Sequence, residues 1–315
     1  MVADVAWEQQ WDCRSVPMAD GGDGTIEILA ALGGQRRTSQ VTGPLGERVD
    51  AVWLERGRTA FIEMAQASGL VLVGGPERNR PLDASTIGTG ELIVEALAAG
   101  AKRIVVTMGG SATTDGGLGA LSAMGPLARY RGIELVVACD VDTLFVDAAR
   151  DFGPQKGATP AQVALLERRL HQLADRYLDE RGVDVSAVPG AGAAGGLAGA
   201  LVSLGAHVVS GFDFVADEAG LRDALDGADL VITGEGRCDE ESFHGKVVGG
   251  VCALAHQAGV PVMIVAGDVE TGFTVPTSFR STVVDLVSLT TRVGPERAWN
   301  EPLGALRDVI VRVLT

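Results

Sequence analysis

Three short segments carry the residues best suited to chemistry, and each places glycines beside carboxylates or hydroxyls at the end of an apolar run. Arg14–Met18 leads into Ala19-Asp20-Gly21-Gly22-Asp23-Gly24-Thr25, and Arg103–Met108 leads into Gly109-Gly110-Ser111-Ala112-Thr113-Thr114-Asp115-Gly116-Gly117. Asp229–Thr233 leads into Gly234-Glu235-Gly236-Arg237-Cys238-Asp239, with Gly245-Lys246 just beyond. A glycine-rich turn between a strand and a helix lets backbone N–H groups converge on an anion at the helix N-terminus. Ser111, Thr113 and Thr114 add hydroxyl donors there, and Asp115 is placed to face a metal ion. The competing reading is a tight turn whose glycines answer only steric demands. Asp20 and Asp23 could hold Mg²⁺, accept a proton from a substrate hydroxyl, or cap the following helix. Lys246 stands where a helix dipole disfavours a cation, which argues for a role toward a phosphate over a merely solvated side chain. The segment is not a Walker A loop, because Glu240 and Val247 stand where glycine and serine or threonine are needed.

Further candidates are scattered along the chain. Phe152–Ala158 reads as a polar loop in which Lys156 could bind a carboxylate or phosphate. Cys139-Asp140-Val141-Asp142 follows a strand over Ile133–Ala138, so Asp140 also sits at a strand end. Glu63 lies among apolar residues and needs a partner, either structural or a ligand. Gly190-Ala191-Gly192-Ala193-Ala194-Gly195 matches GxGxxG, with Asp213 further on at the end of an extended run. The strand that a dinucleotide site requires before the first glycine is poor, since Val183–Val188 contains Asp184 and Ser186 and Pro189 follows. A Gly/Ala helix start packed close to a small substrate fits this segment better. The four histidines form no metal-ligand spacing, and no Ser-His-Asp set can be picked out.

These segments need elements to position them. Apolar strands alternate with Ala/Leu-rich helices over Ile26–Leu32, Leu118–Met124 and Val248–Ala258, with a further strand over Val260–Ala266. The alternation predicts a mostly parallel sheet with ligands at the carboxyl ends of its strands. Arg37–Val41, Val49–Glu55 and Thr59–Met64, separated by turns at Gly43–Gly46 and Arg56–Arg58, predict an antiparallel meander. The expected fold class is therefore α/β, with two α/β domains. A discontinuous Rossmann-like domain over 1–35 and 225–315 would receive an inserted domain with a mixed sheet over 36–224. Leu165–Leu178 reads as an amphipathic surface helix.

Composition limits the partners. The chain has 315 residues, of which 46% are hydrophobic and 21% charged, so it can bury a core rather than remain disordered. Its net charge is −15, from 26 cationic and 41 acidic side chains, which argues against nucleic acid and membrane surfaces. Only Lys102, Lys156 and Lys246 are lysines, so the remaining cations are arginines. The four cysteines form no CxxC pair and read as thiols of a reducing cytoplasm. No signal peptide is visible at the start. The charge-free stretch 190–210 is mostly Gly and Ala and reads as a packed helix and strand, not a membrane span.

Glycine-lined strand ends, several acids and cationic loops suit phosphoryl transfer, which needs positioned phosphates, a divalent cation and a base. At this point the residues resemble the type I glycerate kinase family. The matching strings include Pro17–Thr25, Ile62–Ala65, Thr86–Ile93, Gly109–Gly117, Cys139–Val141, Phe152–Ala158, Pro189–Leu197, Thr233–Asp239 and Gly245-Lys246. The resemblance implies ATP- and Mg²⁺-dependent phosphorylation of D-glycerate, with 2-phosphoglycerate the favoured product, in a cleft between two α/β domains. A homodimer is a further expectation. Two departures accompany it. Family members usually open with a strand, a Pro-Asp-Ser-Phe-Lys-Gly loop and a helix before the Ala-Asp-Gly-Gly segment, whereas only Met1–Cys13 precedes that segment and its strand here, so those elements are expected to be missing. Glu240-Glu241 also replaces a common Gly-Gln.

On this basis Asp20, Asp23, Asp239 and Lys246 are expected to be catalytic, and Asp115 and Asp140 to bind metal. Gly109, Gly110, Ser111, Thr113, Thr114, Lys156, Gly192, Glu235 and Arg237 are expected to bind substrate or nucleotide. The alternatives are a shortened homologue that only binds ligand and a nicotinamide-dependent oxidoreductase resting on Gly190–Gly195.

Overall fold

The computed structural model describes residues 1–314, which divide into two compact units, one formed by 19–215 and the other by 1–18 with the chain from 216 onward. The inserted unit holds a six-stranded sheet in sequence order. Its strands are β1 (Gln35–Thr42), β2 (Arg48–Arg56), β3 (Thr59–Glu63), β4 (Arg103–Thr107), β5 (Glu134–Ala138) and β6 (His207–Val209). The first three are antiparallel, as the meander predicts, and β3 to β6 run parallel. Its helices are α2 (Thr25–Ala31), α3 (Ala65–Ser68), α4 (Ile87–Ala98), α5 (Leu118–Met124), α6 (Ala148–Phe152), α7 (Pro160–Arg181), α8 (Leu197–Val202) and the start of α9 (Gly211–Ala219). The terminal unit opens with α1 (Val2–Glu8) and continues through α10 (Leu221–Leu225), β7 (Val231–Cys238), α11 (Val247–Ala258), β8 (Val262–Val269) and β9 (Val283–Ser288). It closes with α12 (Leu289–Val293), α13 (Pro295–Asn300) and α14 (Pro302–Leu314).

Strand side chains alternate between faces, and both faces of the inserted unit's sheet are apolar. Ile62, Val106 and Val137 lie in register on one face and join Leu92, Ile93, Met124, Phe145 and Tyr177 in the main core. Phe61, Val105 and Val136 share the other face, where the Phe214 ring of α9 stands 6.1 Å from Phe61. A sheet buried on both sides is what parallel pairing demands. α2 packs on β2 and β3 with Ile26 and Leu29 buried. That burial groups residues 19–34 with the inserted unit, whereas the sequence division placed them in the terminal domain. α7 begins at a reciprocal cap between Thr159 and Gln162 and buries Leu166, Leu170, Ala174 and Tyr177 along one stripe.

The terminal unit has three parallel strands in the order β7-β8-β9. Val5, Ala6, Val309 and Ile310 of α1 and α14 form a core with Met263, Val265 and Val287, and the Trp11 indole N–H bonds the Leu314 carbonyl at 3.2 Å.

Several expectations are corrected here. Arg14–Met18 forms no strand; Pro17 lacks the N–H that a ladder requires. Residues 2–8 do form a helix, where the sequence reading expected the opening helix to be missing. Gly234–Arg237 is not a loop, because β7 continues to Cys238. Gly234 fits because a Cβ there would collide with the Val265 carbonyl of β8. Asp213 ends no extended run, since β6 stops at Val209 and Asp213 lies in the first turn of α9.

Candidate active site

The segment after β4 is the centre of the site. Three of its carbonyls are tied into the protein: Gly110 O accepts the Leu70 N–H at 2.8 Å, Ala112 O accepts the Asn79 amide at 2.9 Å, and Thr113 O accepts Lys156 Nζ at 2.7 Å. Its donors are not. Apart from Ala112 N–H, which bonds Ser68 O at 2.9 Å, the N–H groups of Gly109, Gly110, Ser111, Thr113 and Thr114 have no acceptor among the described residues. Thr114 is buried and its hydroxyl has no partner either. Ser111, Thr113 and Thr114 are buried, whereas Gly109 is half-buried and Gly110 exposed. Buried N–H groups are rarely left unpaired, so those of Ser111, Thr113 and Thr114 mark a place built to receive an acceptor from outside the chain. Gly110 takes a left-handed φ of +68°, which glycine adopts at no cost.

The Asp20–Gly24 turn packs directly against this segment. A Cβ on Gly109 would collide with the Gly22 backbone, and one on Gly110 with the Asp23 carboxylate. Asp20 accepts the Gly22 N–H at 3.0 Å, while the Asp23 carboxylate has no hydrogen-bond donor among the described residues. The helix after the turn is capped from a distance, because Glu63 at the end of β3 accepts the Gly24 and Ile26 N–H groups at 3.1 and 3.3 Å. Burial raises the Glu63 pKa above the ordinary carboxylate value; these two bonds oppose the rise and the nearby Asp23 adds to it. Asp140, beyond β5, accepts Ser210 Oγ at 2.8 Å and the Phe212 N–H at 2.9 Å, which caps α9. Its pKa is also raised, chiefly by burial, with Asp20 contributing repulsion. Asp20, Asp23, Glu63 and Asp140 therefore form an acidic rim at the carboxyl ends of β3, β4 and β5.

Asp115, expected to face a metal, is occupied otherwise. Its carboxylate accepts Thr86 N–H and Thr86 Oγ1 at 2.9 Å each and the Gly117 and Gly119 N–H groups at 3.1 Å each. It thus caps α4 and α5 together. Lys156 is not in an open polar loop. It is buried in a 3-10 turn over Pro154–Lys156, and burial pushes its pKa down to about 7 against the attraction of Asp115. Gly192 packs on the backbone of Thr143 and Leu144. The GxGxxG segment follows a 3-10 turn at Val185–Ala187 rather than a strand, so it lacks the strand-turn-helix setting of a dinucleotide site.

In the terminal unit, exposed Arg237 pairs with Glu270 at 3.4 Å, and half-buried Lys246, the residue just before α11, pairs with Glu241 at 3.4 Å. Asp239 caps the turn Glu240–Phe243 by accepting the Ser242 N–H at 3.2 Å. Glu235 has one buried carboxylate oxygen with no hydrogen-bond partner.

The glycerate kinase family profile matches residues 2–129 and 126–315, which together span nearly all of the chain. The chain belongs to the glycerate kinase family. It is 42% identical over 295 residues to a glycerate kinase of Halalkalibacterium halodurans, with 82% of this chain and 77% of that protein covered. It is 43% identical over 288 residues to a glycerate 2-kinase of Escherichia coli K12, with 80% and 75% covered. A crystal structure of a Salmonella typhimurium LT2 protein assigned as glycerate kinase 2 superposes with a TM-score of 0.81 at 35% identity, covering 99% of this chain and 93% of that one. As a glycerate kinase family enzyme the chain is a kinase that uses glycerate and ATP. No helix among the described residues is long and apolar enough to cross a membrane.

The sequence brought forward Asp20, Asp23, Gly109 to Thr114, Lys156 and Asp140, and the inserted unit gathers these around one loop. Asn79 was missed. Its amide bonds two loops 33 and 77 residues away, and no local pattern announces such a pair.

Proposed function

We propose that this chain transfers the terminal phosphoryl group of ATP to the 2-hydroxyl of D-glycerate, giving 2-phosphoglycerate and ADP. The observation that carries the reading is the run of N–H groups at Gly109, Gly110, Ser111, Thr113 and Thr114 with no acceptor among the described residues, packed beside a carboxylate, Asp23, that has no donor among them. Such amides stabilise the charge spread over the equatorial oxygens of a transferring phosphoryl group. The glycerate oxygen forms the new P–O bond as the bond to ADP breaks. The hydroxyl proton passes to a carboxylate, for which Asp23 is the best placed. The relative named glycerate 2-kinase supports the choice of the 2-hydroxyl.

Mg²⁺ fits the donor set. It is commonly held by one or two carboxylates together with substrate phosphates rather than by a full protein cage. Asp20 would supply such a carboxylate, which leaves Asp23 as the base, and no group of three or more His, Cys, Asp or Glu ligands is present among the described residues. The ion would screen the acidic rim from the incoming anions. Asp115 and Asp140, whose oxygens cap helices, are left out of that set.

The test is ADP release on adding D-glycerate, ATP and Mg²⁺, with the product identified by phosphorus NMR. A 2-phosphoglycerate signal formed one for one with ADP supports the reading. Product at the 3-position corrects the regiochemistry, and no ADP release removes the reading.

A further inference from the structure

Three carbonyls of the loop after β4, those of Gly110, Ala112 and Thr113, are held by protein donors, and the residues that hold them include one outside the expected site. Asn79 spends both hydrogens of its side-chain amide, one on Ala112 O and one on Lys156 O, each at 2.9 Å. Its own oxygen accepts the Arg80 N–H at 2.9 Å, which sets the orientation of the amide. Lys156 then reaches back to Thr113 O at 2.7 Å. The same stretch of chain lies flat on this pair, since a Cβ at Gly157 would collide with the Pro76 carbonyl. Two successive carbonyls, Ala112 and Thr113, are therefore pinned by a linked pair of side chains. A peptide unit has its C=O and N–H on opposite edges. Pinning the carbonyls fixes which way the N–H groups of Thr113 and Thr114 point.

We propose that Asn79 and Lys156 are positioning residues that hold the Thr113 and Thr114 amides ready for the phosphates of the nucleotide, and that neither contacts substrate. This rests on the phosphoryl-transfer reading given above. It also changes the expectation for Lys156, whose ammonium is directed at a protein carbonyl rather than offered to a ligand.

The proposal separates from a merely structural role by which Michaelis constant moves. Loss of stability lowers the active fraction, and with it kcat, without changing the KM of the molecules that remain folded. Loss of loop preorganisation weakens the ligand that the loop holds. In Asn79→Ala and, as a variant of nearly unchanged shape, Lys156→Met, the KM for ATP is expected to rise at least 10-fold while the KM for D-glycerate stays within 2-fold. ATP binding measured by calorimetry without glycerate is expected to weaken to the same extent. Lys156→Arg, which keeps a donor, is expected to recover part of the loss.

If both variants are folded and bind ATP as the wild type does, the proposal is overturned. If instead the wild type binds ATP but does not phosphorylate D-glycerate, the proposed function fails and the positioning role is decided by the ATP-binding series alone. Absence of ATP binding by the wild type overturns both.

Discussion

Burial of the Lys156 ammonium makes a specific demand on stability. The side chain is 4% exposed and its pKa falls from 10.5 to about 7, with burial as the cause and Asp115 attraction opposing it. Between those values the unfolded chain binds a proton that the folded chain does not, so stability rises with pH across that window. Below about pH 7 both states carry the charge and the full cost of burying it is present; above 10.5 neither does. At 1.36 kcal/mol per unit, a shift from 10.5 to about 7 corresponds to a cost on the order of 5 kcal/mol. Lys156→Met removes the cost but leaves Thr113 O without its donor, a loss of about 1–3 kcal/mol. The two effects cross. At pH 6 the charge term is larger, so the Met variant is expected to match or exceed the wild type. Near pH 10 the charge term is almost gone and the variant is expected to be the weaker. The difference, wild type minus variant, should climb at roughly 1.4 kcal/mol per pH unit through the window. Urea unfolding of the inserted unit can be followed through buried Trp53 after Trp7, Trp11 and Trp299 are replaced by Phe. Parallel pH profiles for the two proteins would refute the burial of this lysine in solution.

Asp115→Ala is expected to cost about 2–4 kcal/mol in the same urea assay, because the first turns of α4 and α5 lose one shared acceptor; a cost below about 0.5 kcal/mol would contradict the shared cap. Glu63, whose pKa is raised, binds a proton more tightly folded than unfolded, so its carboxylate erodes stability as pH rises just above 4.5. Glu63→Gln should flatten that part of the stability profile, and an unchanged profile counts against it. Gly110→Ala places a methyl against the Asp23 carboxylate in a left-handed backbone that costs about 1 kcal/mol without glycine. Phosphoryl transfer should fall at least 100-fold with far-UV circular dichroism preserved, and activity within 5-fold of wild type would be incompatible with the close packing of the two loops.

What could be read from the sequence was local and periodic. The meander of β1 to β3 shows as alternating runs between glycine turns, and the Gly109–Gly117 loop shows because its glycines fall between an apolar run and a helix. The contributions that escaped depend on long-range contacts. Lys156 sits among Gly, Pro and Gln, which read as solvent-facing, and its burial comes with distant partners, Thr113 at its ammonium, Asn79 at its carbonyl and Pro76 against Gly157. Asp115 resembles a metal ligand at a strand end until α4, whose first turn it caps, is placed beside α5. Gly234 and Gly236 read as a loop because glycine is common in turns. In β7 Gly234 serves close approach to a neighbouring strand instead. The short α1 carries little signal in the sequence because its apolar residues Val5 and Ala6 gain their value against α14, about 300 residues on.

The central claim is that the unspent amides after β4 and the unpaired Asp23 act together on a phosphoryl group. Single-turnover transfer from ATP to D-glycerate, compared between the wild type and Asp23→Asn at saturating concentrations of both substrates, tests it most directly. We expect the variant to bind ATP within a few-fold of the wild type and to transfer phosphate at least 1,000-fold more slowly; transfer at an undiminished rate would show that the chemistry lies elsewhere.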